Sequence, residues 1–319
     1  MKYQKIFIDV SNFYYRGYSV GQNMSTIMED DQEMVTGGIY NSLRMIQRVE
    51  RDFLADKGEV FFLFDNCHSG INKRKTIDPD YKSNRTKKDD AFYRSLDYLH
   101  LVLLNYKNNY RTVKVEGMEA DDLVDTLSKS YPDDSILLVS NDLDWFRSIN
   151  SLIHVAKYEK GNYKIYDEVA FTERYGFEPT VNKLCMYKSF TGDTGDNVPK
   201  AVPKMKTADI VRLITEFDSI SEIGRAVESL DYITPLFKTR IKDSIPRLLM
   251  NYKLVNYLNI SKEELDENVY SCTFNPRVLN SLYHTLSFDI AKIDPRVYQF
   301  YSVKQSAGSF FKLKKMPRA

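Results

Sequence analysis

The sequence predicts an α/β core followed by a helical unit, and three observations predict it. Short apolar runs that do not alternate recur in the first half of the chain. Stretches of helical period separate them, and from about Thr180 onward the pattern is almost wholly helical. The first run, Ile6-Phe7-Ile8, is β-prone and apolar at every position, as expected for a strand buried on both faces of a parallel sheet. Ile39, Leu43, Ile46, Val49 and Phe53 then repeat at helical spacing. A second strand is expected at Val60 to Phe64, a helix over Ala120, Leu123, Val124 and Leu127, and a third strand at Ile136 to Val139. Ser151 to Tyr166 reads as a hairpin with Glu159-Lys160-Gly161-Asn162 at its turn. Ile210, Leu213, Ile214 and Phe217 typify the helical region, whose boundary is placed near 178. The chain thus divides into a core over 1–177, a helical unit over 178–299 and a basic tail over 300–319.

The 319 residues carry 45 Lys+Arg against 44 Asp+Glu, with 43% hydrophobic residues and no apolar run able to span a bilayer. Membrane-spanning, collagen-like and disordered polyanionic classes are excluded. Cys67, Cys185 and Cys272 are too few for a disulfide framework, and no signal peptide opens the chain, so a cytoplasmic setting is expected. The net charge of +1 conceals an uneven distribution. Between 73 and 88 lie seven basic residues against two acids, and between 304 and 319 five basic residues and no acid. Such stripes suit a polyanion.

Acids follow the apolar runs. Asp9 follows the first strand, Asp65 the second, and Asp142 with Asp144 the third, at the carboxyl ends where open α/β sheets place their ligand crevice. Glu119, Asp121 and Asp122 open a helix, where acids also complement the helix dipole. Asp193 and Asp196 lie in a Gly-containing loop, where an Asp is also a common turn residue. Nine carboxylates in one crevice would repel unless divalent cations neutralised them, and all-oxygen ligation selects Mg²⁺ or Mn²⁺. Four histidines in the whole chain argue against zinc. Two such ions about 3.5–4 Å apart promote phosphodiester hydrolysis.

Six motifs occur in an order that resembles the structure-specific 5′-nucleases: flap endonucleases, bacteriophage 5′-exonucleases and the 5′-nuclease domain of DNA polymerase I. They are Ile8-Asp9-Val-Ser-Asn-Phe-Tyr-Tyr-Arg16, Phe64-Asp65, Asp80-Tyr81-Lys82-Ser83-Asn84-Arg85, Glu119-Ala-Asp121-Asp122, Ser140-Asn141-Asp142-Leu-Asp144 and Gly192-Asp193-Thr-Gly-Asp196-Asn197-Val-Pro199. The resemblance runs from about residue 5 to 217 and corresponds to the free-standing form. It implies a PIN-like core with a mostly parallel central sheet, a helical arch at about 70–95 and a helix-hairpin-helix-like region. It further implies Mg²⁺-dependent 5′-3′ exonuclease and 5′-flap endonuclease action on branched or 5′-ended duplex DNA, or on RNA–DNA hybrid, during replication and RNA primer removal. Mn²⁺ would substitute for Mg²⁺, and a monomer is expected.

By the same resemblance Asp9, Asp65, Glu119, Asp121, Asp142 and Asp144 are metal-binding acids, with Asp122, Asp193 and Asp196 as outer acids. Lys82 and Arg85 would act on the attacked phosphate, while Arg74 and Tyr81 would contact nucleic acid, Tyr81 by stacking on a terminal base. Within the arch Asp78 can N-cap a helix with Pro79 at its first position, so that Lys82, Arg85 and Asp89 recur along one side. The family's Gly-rich hairpin is replaced here by Lys200 to Ala208, which has no glycine, so close backbone approach and positive φ are disfavoured. Lys200, Lys204 and Lys206 would instead grip duplex phosphates as point charges. The tail, with Phe310 and Phe311 after Gln305, resembles a sliding-clamp-binding peptide; folding back of the two rings onto the helical unit is the alternative. The competing functional readings are a PIN-like endoribonuclease and a non-catalytic branched-DNA-binding protein.

Overall fold

The computed structural model describes residues 1–27, 33–66 and 72–302, so the tail from 303 on, with Phe310 and Phe311, lies outside the described residues. Two compact units are present: Met1–Asn12 with Ala55–Lys87 and Val113–Val269, and Phe13–Leu54 with Lys88–Thr112 and Tyr270–Ala319.

The first unit is built on strands β1 (Tyr3–Asp9), β2 (Leu54–Leu63), β3 (Ile136–Val139), β4 (Ile153–Glu159) and β5 (Asn162–Tyr166). They neighbour one another in the order β5-β4-β3-β1-β2. β1 runs parallel to β3 with Ile8 opposite Val139, and β3 parallel to β4 with Leu138 opposite Val155. β4 and β5 form the expected antiparallel hairpin, closing at Glu159 opposite Asn162. Ile6, Phe7, Ile8 and all four residues of β3 are fully buried, which explains why their sequences do not alternate.

Among the helices of this unit are α1 (Ala120–Lys129), α2 (Val181–Thr191), α3 (Thr207–Glu216) and α4 (Pro235–Val255). The helical stretch after Thr180 does not separate from the strands at 178. Leu184, Met186 and Phe190 of α2 and Leu213 of α3 share one core with Phe7, Leu138 and Phe146, because the apolar stripes of these helices bury against the sheet layer.

One expected element is absent. Residues 78–85 form turns rather than a helix starting at Pro79. Asp78 spends its carboxylate on the Asp80 amide two residues on, at 3.0 Å. Lys82 adopts a left-handed φ of 57°, and its amide donates to the Asp196 carbonyl at 2.9 Å. Asp89 does not share a helical side with Lys82 and Arg85; its side chain accepts from the Phe92 amide and caps the Asp90–Leu104 helix of the second unit. That unit also holds the expected Gly37–Phe53 helix, with Ile39, Leu43, Ile46 and Val49 buried. Its Tyr14 and Phe92 rings pack edge to face at 4.8 Å.

Candidate active site

Parallel register brings the first acid to its partner. With Ile8 beside Val139, β1 delivers Asp9 next to Ser140, whose hydroxyl donates to the Asp9 carboxylate at 2.7 Å. The Asn12 amide donates to the other Asp9 oxygen at 2.9 Å. Asp65, just past β2, accepts from the Ala120 amide at 2.8 Å and so occupies the positive end of α1. Beyond β3 the Asp142 carboxylate accepts from the Asp144 amide at 3.0 Å, and the short 3₁₀ turn that follows buries Asp144. Asp193 and Asp196 come from the loop after α2. Gly192 begins that loop at φ 68°, where an added Cβ would meet the Val198 carbonyl at 2.6 Å, so glycine is required. Oxygens of Asp144, Asp193 and Asp196 all lie within 4.8 Å of one another.

Basic side chains are threaded among these acids. Lys188 of α2, buried, reaches both Asp144 and Asp193 at 2.7 Å. Lys82 lies 2.6 Å from Glu119 and 3.7 Å from Asp196, and Arg85 lies 2.5 Å from Asp196. The Tyr81 hydroxyl donates to Asp196 at 2.8 Å, and Asn72 donates to Glu119 at 2.9 Å. Two further arginines sit beneath. Arg74 makes paired bonds to Asp122 at 2.6 and 2.7 Å, and Arg147 reaches Asp121 at 2.5 Å.

The field at each acid follows from its neighbours. Burial, then the nearby charge of Asp65, raises Asp9 from 3.8 to about 7. Burial would raise Asp144 as well, but Lys188 and Arg147 outweigh it and hold the carboxyl below its ordinary value. At Asp196 burial is likewise overcome, by Lys82 and Arg85. Because folded Asp9 binds its proton more tightly than the unfolded chain, its contribution to the stability of the metal-free protein falls as pH rises from about 4 through about 7. Asp9→Asn removes that penalty. Thermal melts in chelator are expected to show the variant more stable than the parent at pH 8, by on the order of 3 kcal/mol, and no better at pH 4. A variant that gains nothing over the parent between pH 4 and pH 8 would contradict the field described.

Most of the expected residues converge here: Asp9, Asp65, Glu119, Asp121, Asp142, Asp144, Asp193 and Asp196 with Lys82 and Arg85 all belong to the first unit. Three roles need correction. Asp122 is not open to a metal, since Arg74 grips both its oxygens and the Leu258 amide adds a bond at 2.9 Å. Arg74 is not presented to nucleic acid, being 2% exposed and held by Asp122. Tyr81 is 3% exposed and packs with Cys185, Val198, Leu254 and Val255, so its ring has no open face for a base. Its phenol instead ties the turn to the acids. Lys200, Lys204 and Lys206 are exposed, and Lys204 adopts a φ of 66° without glycine. Ser140, Lys188 and Arg147 escaped sequence reasoning as functional residues. The available signals were a lysine among Leu184, Cys185, Met186 and Phe190, and an arginine three places after Asp144.

Residues 4–176 match the family described as 5′-3′ exonuclease, N-terminal resolvase-like domain. The 5′-3′ exonuclease of Buchnera aphidicola subsp. Schizaphis graminum is 28% identical over 265 residues, covering 82% of this chain and 86% of that protein. Flap endonuclease Xni of Vibrio campbellii is 25% identical over 193 residues, covering 60% of this chain and 70% of that protein. Among solved structures, a bacteriophage T5 flap endonuclease in complex with DNA and metal ions superposes with a TM-score of 0.60 at 17% identity, over 89% of this chain and 99% of that one. This last likeness concerns the fold.

Proposed function

The chain belongs to the 5′-3′ exonuclease family, and from that premise we propose that it is a Mg²⁺-dependent, structure-specific 5′-nuclease that hydrolyses phosphodiesters near DNA 5′ ends and at 5′ flaps. The observation that carries this reading is the gathering of carboxylates from two separate chain segments, Asp144 after β3 with Asp193 and Asp196 from the loop after α2, in the same unit as Asp9, Asp65, Glu119, Asp121 and Asp142. The donors are oxygens throughout and fit hard divalent cations, with Asp9, Asp65, Glu119, Asp121, Asp142 and Asp144 as the inner set and Asp193 and Asp196 as outer ligands. Divalent ions held there would stabilise charge developing on a phosphate under attack by water. Mn²⁺ shares the ligand preference and is expected to support the same reaction.

The chain's own groups bind and orient. Lys82, 17% exposed in its side chain, borders solvent while touching Glu119, so its ammonium can turn from a carboxylate to a phosphate oxygen. Arg85 offers a second cation at the same rim. Exposed Lys200, Lys204 and Lys206 supply salt-sensitive contacts to duplex phosphates. RNA primer removal and a monomeric state belong to the same proposal. Among the described residues no helix is long and apolar enough to cross a membrane. The clamp-binding role of Phe310 and Phe311 rests on sequence likeness alone.

The test is one digestion series on 5′-flap, nicked, gapped and blunt duplexes, with single-stranded RNA alongside, in Mg²⁺ or chelator. Divalent-dependent release of 5′-phosphorylated products from 5′-ended DNA supports the proposal. Cleavage of RNA alone, or DNA binding without cleavage, would replace it with the endoribonuclease or the binding-protein reading. Lys82→Ala is expected to lower kcat by about 10²-fold with KM changed less than about threefold, because the charge acts chiefly as the transition state develops. An equal fall in affinity would place Lys82 in ground-state binding instead.

A further inference from the structure

Arg74 and Arg147 come from different segments, yet each holds the same two structures. At one end their guanidinium groups grip the first turn of α1: Arg74 the Asp122 carboxylate, and Arg147 the Asp121 carboxylate. At the other end they reach the last carbonyls of α4. Arg74 donates from Nε to Leu254 at 2.8 Å and from Nη2 to Asn256 at 3.0 Å, and Arg147 donates to the Val255 carbonyl. Arg147 also donates from Nε to the Asp144 carbonyl at 2.9 Å and lies 3.9 Å above the Tyr257 ring. Both side chains are essentially fully buried.

Each contact has a physical reason. A helix leaves its last carbonyls without partners inside the helix, and its C-terminal end carries partial negative charge. A guanidinium placed between that end and a carboxylate satisfies both at once. Only arginine can do so, since its planar fork presents several donors in fixed directions. Arginines buried this deeply cost several kcal/mol of desolvation unless most of their donors are met, and here they meet carboxylates and carbonyls together.

We infer that Arg74 and Arg147 are positioning residues that lock the C-terminal end of α4 to the acidic first turn of α1, and thereby set Asp121 and Glu119 for cation binding. Asp122 works in this bridge rather than as a ligand. The consequence for function rests on the nuclease reading above, whereas the bridge itself does not.

The test uses the full chain with Arg147→Lys and Arg74→Lys. Lysine keeps the charge but cannot hold a carboxylate and a carbonyl in one plane. Tyr257→Leu, which removes the ring beneath Arg147 and keeps the ion pair, serves if either lysine variant fails to fold. Mn²⁺ binding followed by electron paramagnetic resonance without DNA is expected to weaken about 10- to 100-fold in the lysine variants, the usual effect of removing a partner that orients a metal ligand. Tyr257→Leu should show a smaller loss in the same direction. Amide exchange over Ala120–Leu123 should quicken, kcat should fall, and DNA affinity measured in chelator should stay unchanged. Parent-like Mn²⁺ affinity together with parent-like exchange over Ala120–Leu123 would overturn the inference, even with a lowered melting temperature. A parent protein without divalent-dependent cleavage would instead overturn the nuclease reading, and the exchange measurement would still decide the bridge.

Discussion

Asp144→Asn is expected to reduce hydrolysis by about 10³-fold while DNA affinity, measured in chelator, changes less than about threefold. Asp144 is buried, and one of its oxygens lies within 4.8 Å of an oxygen of Asp193 and of Asp196. Metal-ion stabilisation of a transition state contributes several kcal/mol, and each 1.36 kcal/mol lost slows the reaction about tenfold. Asparagine retains the shape and one acceptor, so the local fold should persist. No basic contact to DNA is removed, which is why affinity should hold. Single-turnover cleavage of a 5′-flap duplex with saturating enzyme measures the chemical step directly. A rate within tenfold of the parent would show that Asp144 is the buried partner of Lys188 and nothing more.

Lys188→Met should have its largest effect on stability, and the effect should depend on divalent ions. The ammonium lies 2.7 Å from both Asp144 and Asp193 and is buried among them. Methionine fills similar space but leaves two carboxylates facing each other with less compensation. Removing one partner of a buried ion pair typically costs about 3–5 kcal/mol. In chelator the variant is therefore expected to melt well below the parent. Added Mn²⁺ should recover most of the difference, because a ligand bound only by the folded state stabilises it by mass action. Equal melting temperatures in chelator would mean that Lys188 does not carry the charge balance. A loss that Mn²⁺ fails to reduce would mean that its role is packing.

Much of this site was legible in the sequence because its acids are placed by local rules. A strand buried on both faces reads as an unbroken apolar run, and the acid at its end stands at the sheet's carboxyl edge whatever lies elsewhere. Asp9, Asp65, Asp142 and Asp144 follow from that rule, and Glu119 from its place before α1. The 78–85 segment misled for a related reason. Asp78 followed by Pro79 is a good helix start, but the same Asp side chain also serves a turn. Contacts to Asp196 and Asn197, more than a hundred residues away, select the turn.

Local chain chemistry therefore dictates the alternation of strand and helix, the helical region after Thr180, and the set of acids that a hard cation would require. Which charges those acids face is set by contacts distant in the chain. Arg74 finds Asp122 across 48 residues, Lys188 finds Asp144 across 44, and Arg147 finds Asp121 across 26. Such pairings leave no periodicity in the chain, since a long basic side chain is compatible with many surroundings until folding removes water from one of them. Desolvation then makes each pairing nearly obligatory, and so Asp122 and Arg74, which the family resemblance assigns to metal and nucleic acid, are bound to each other.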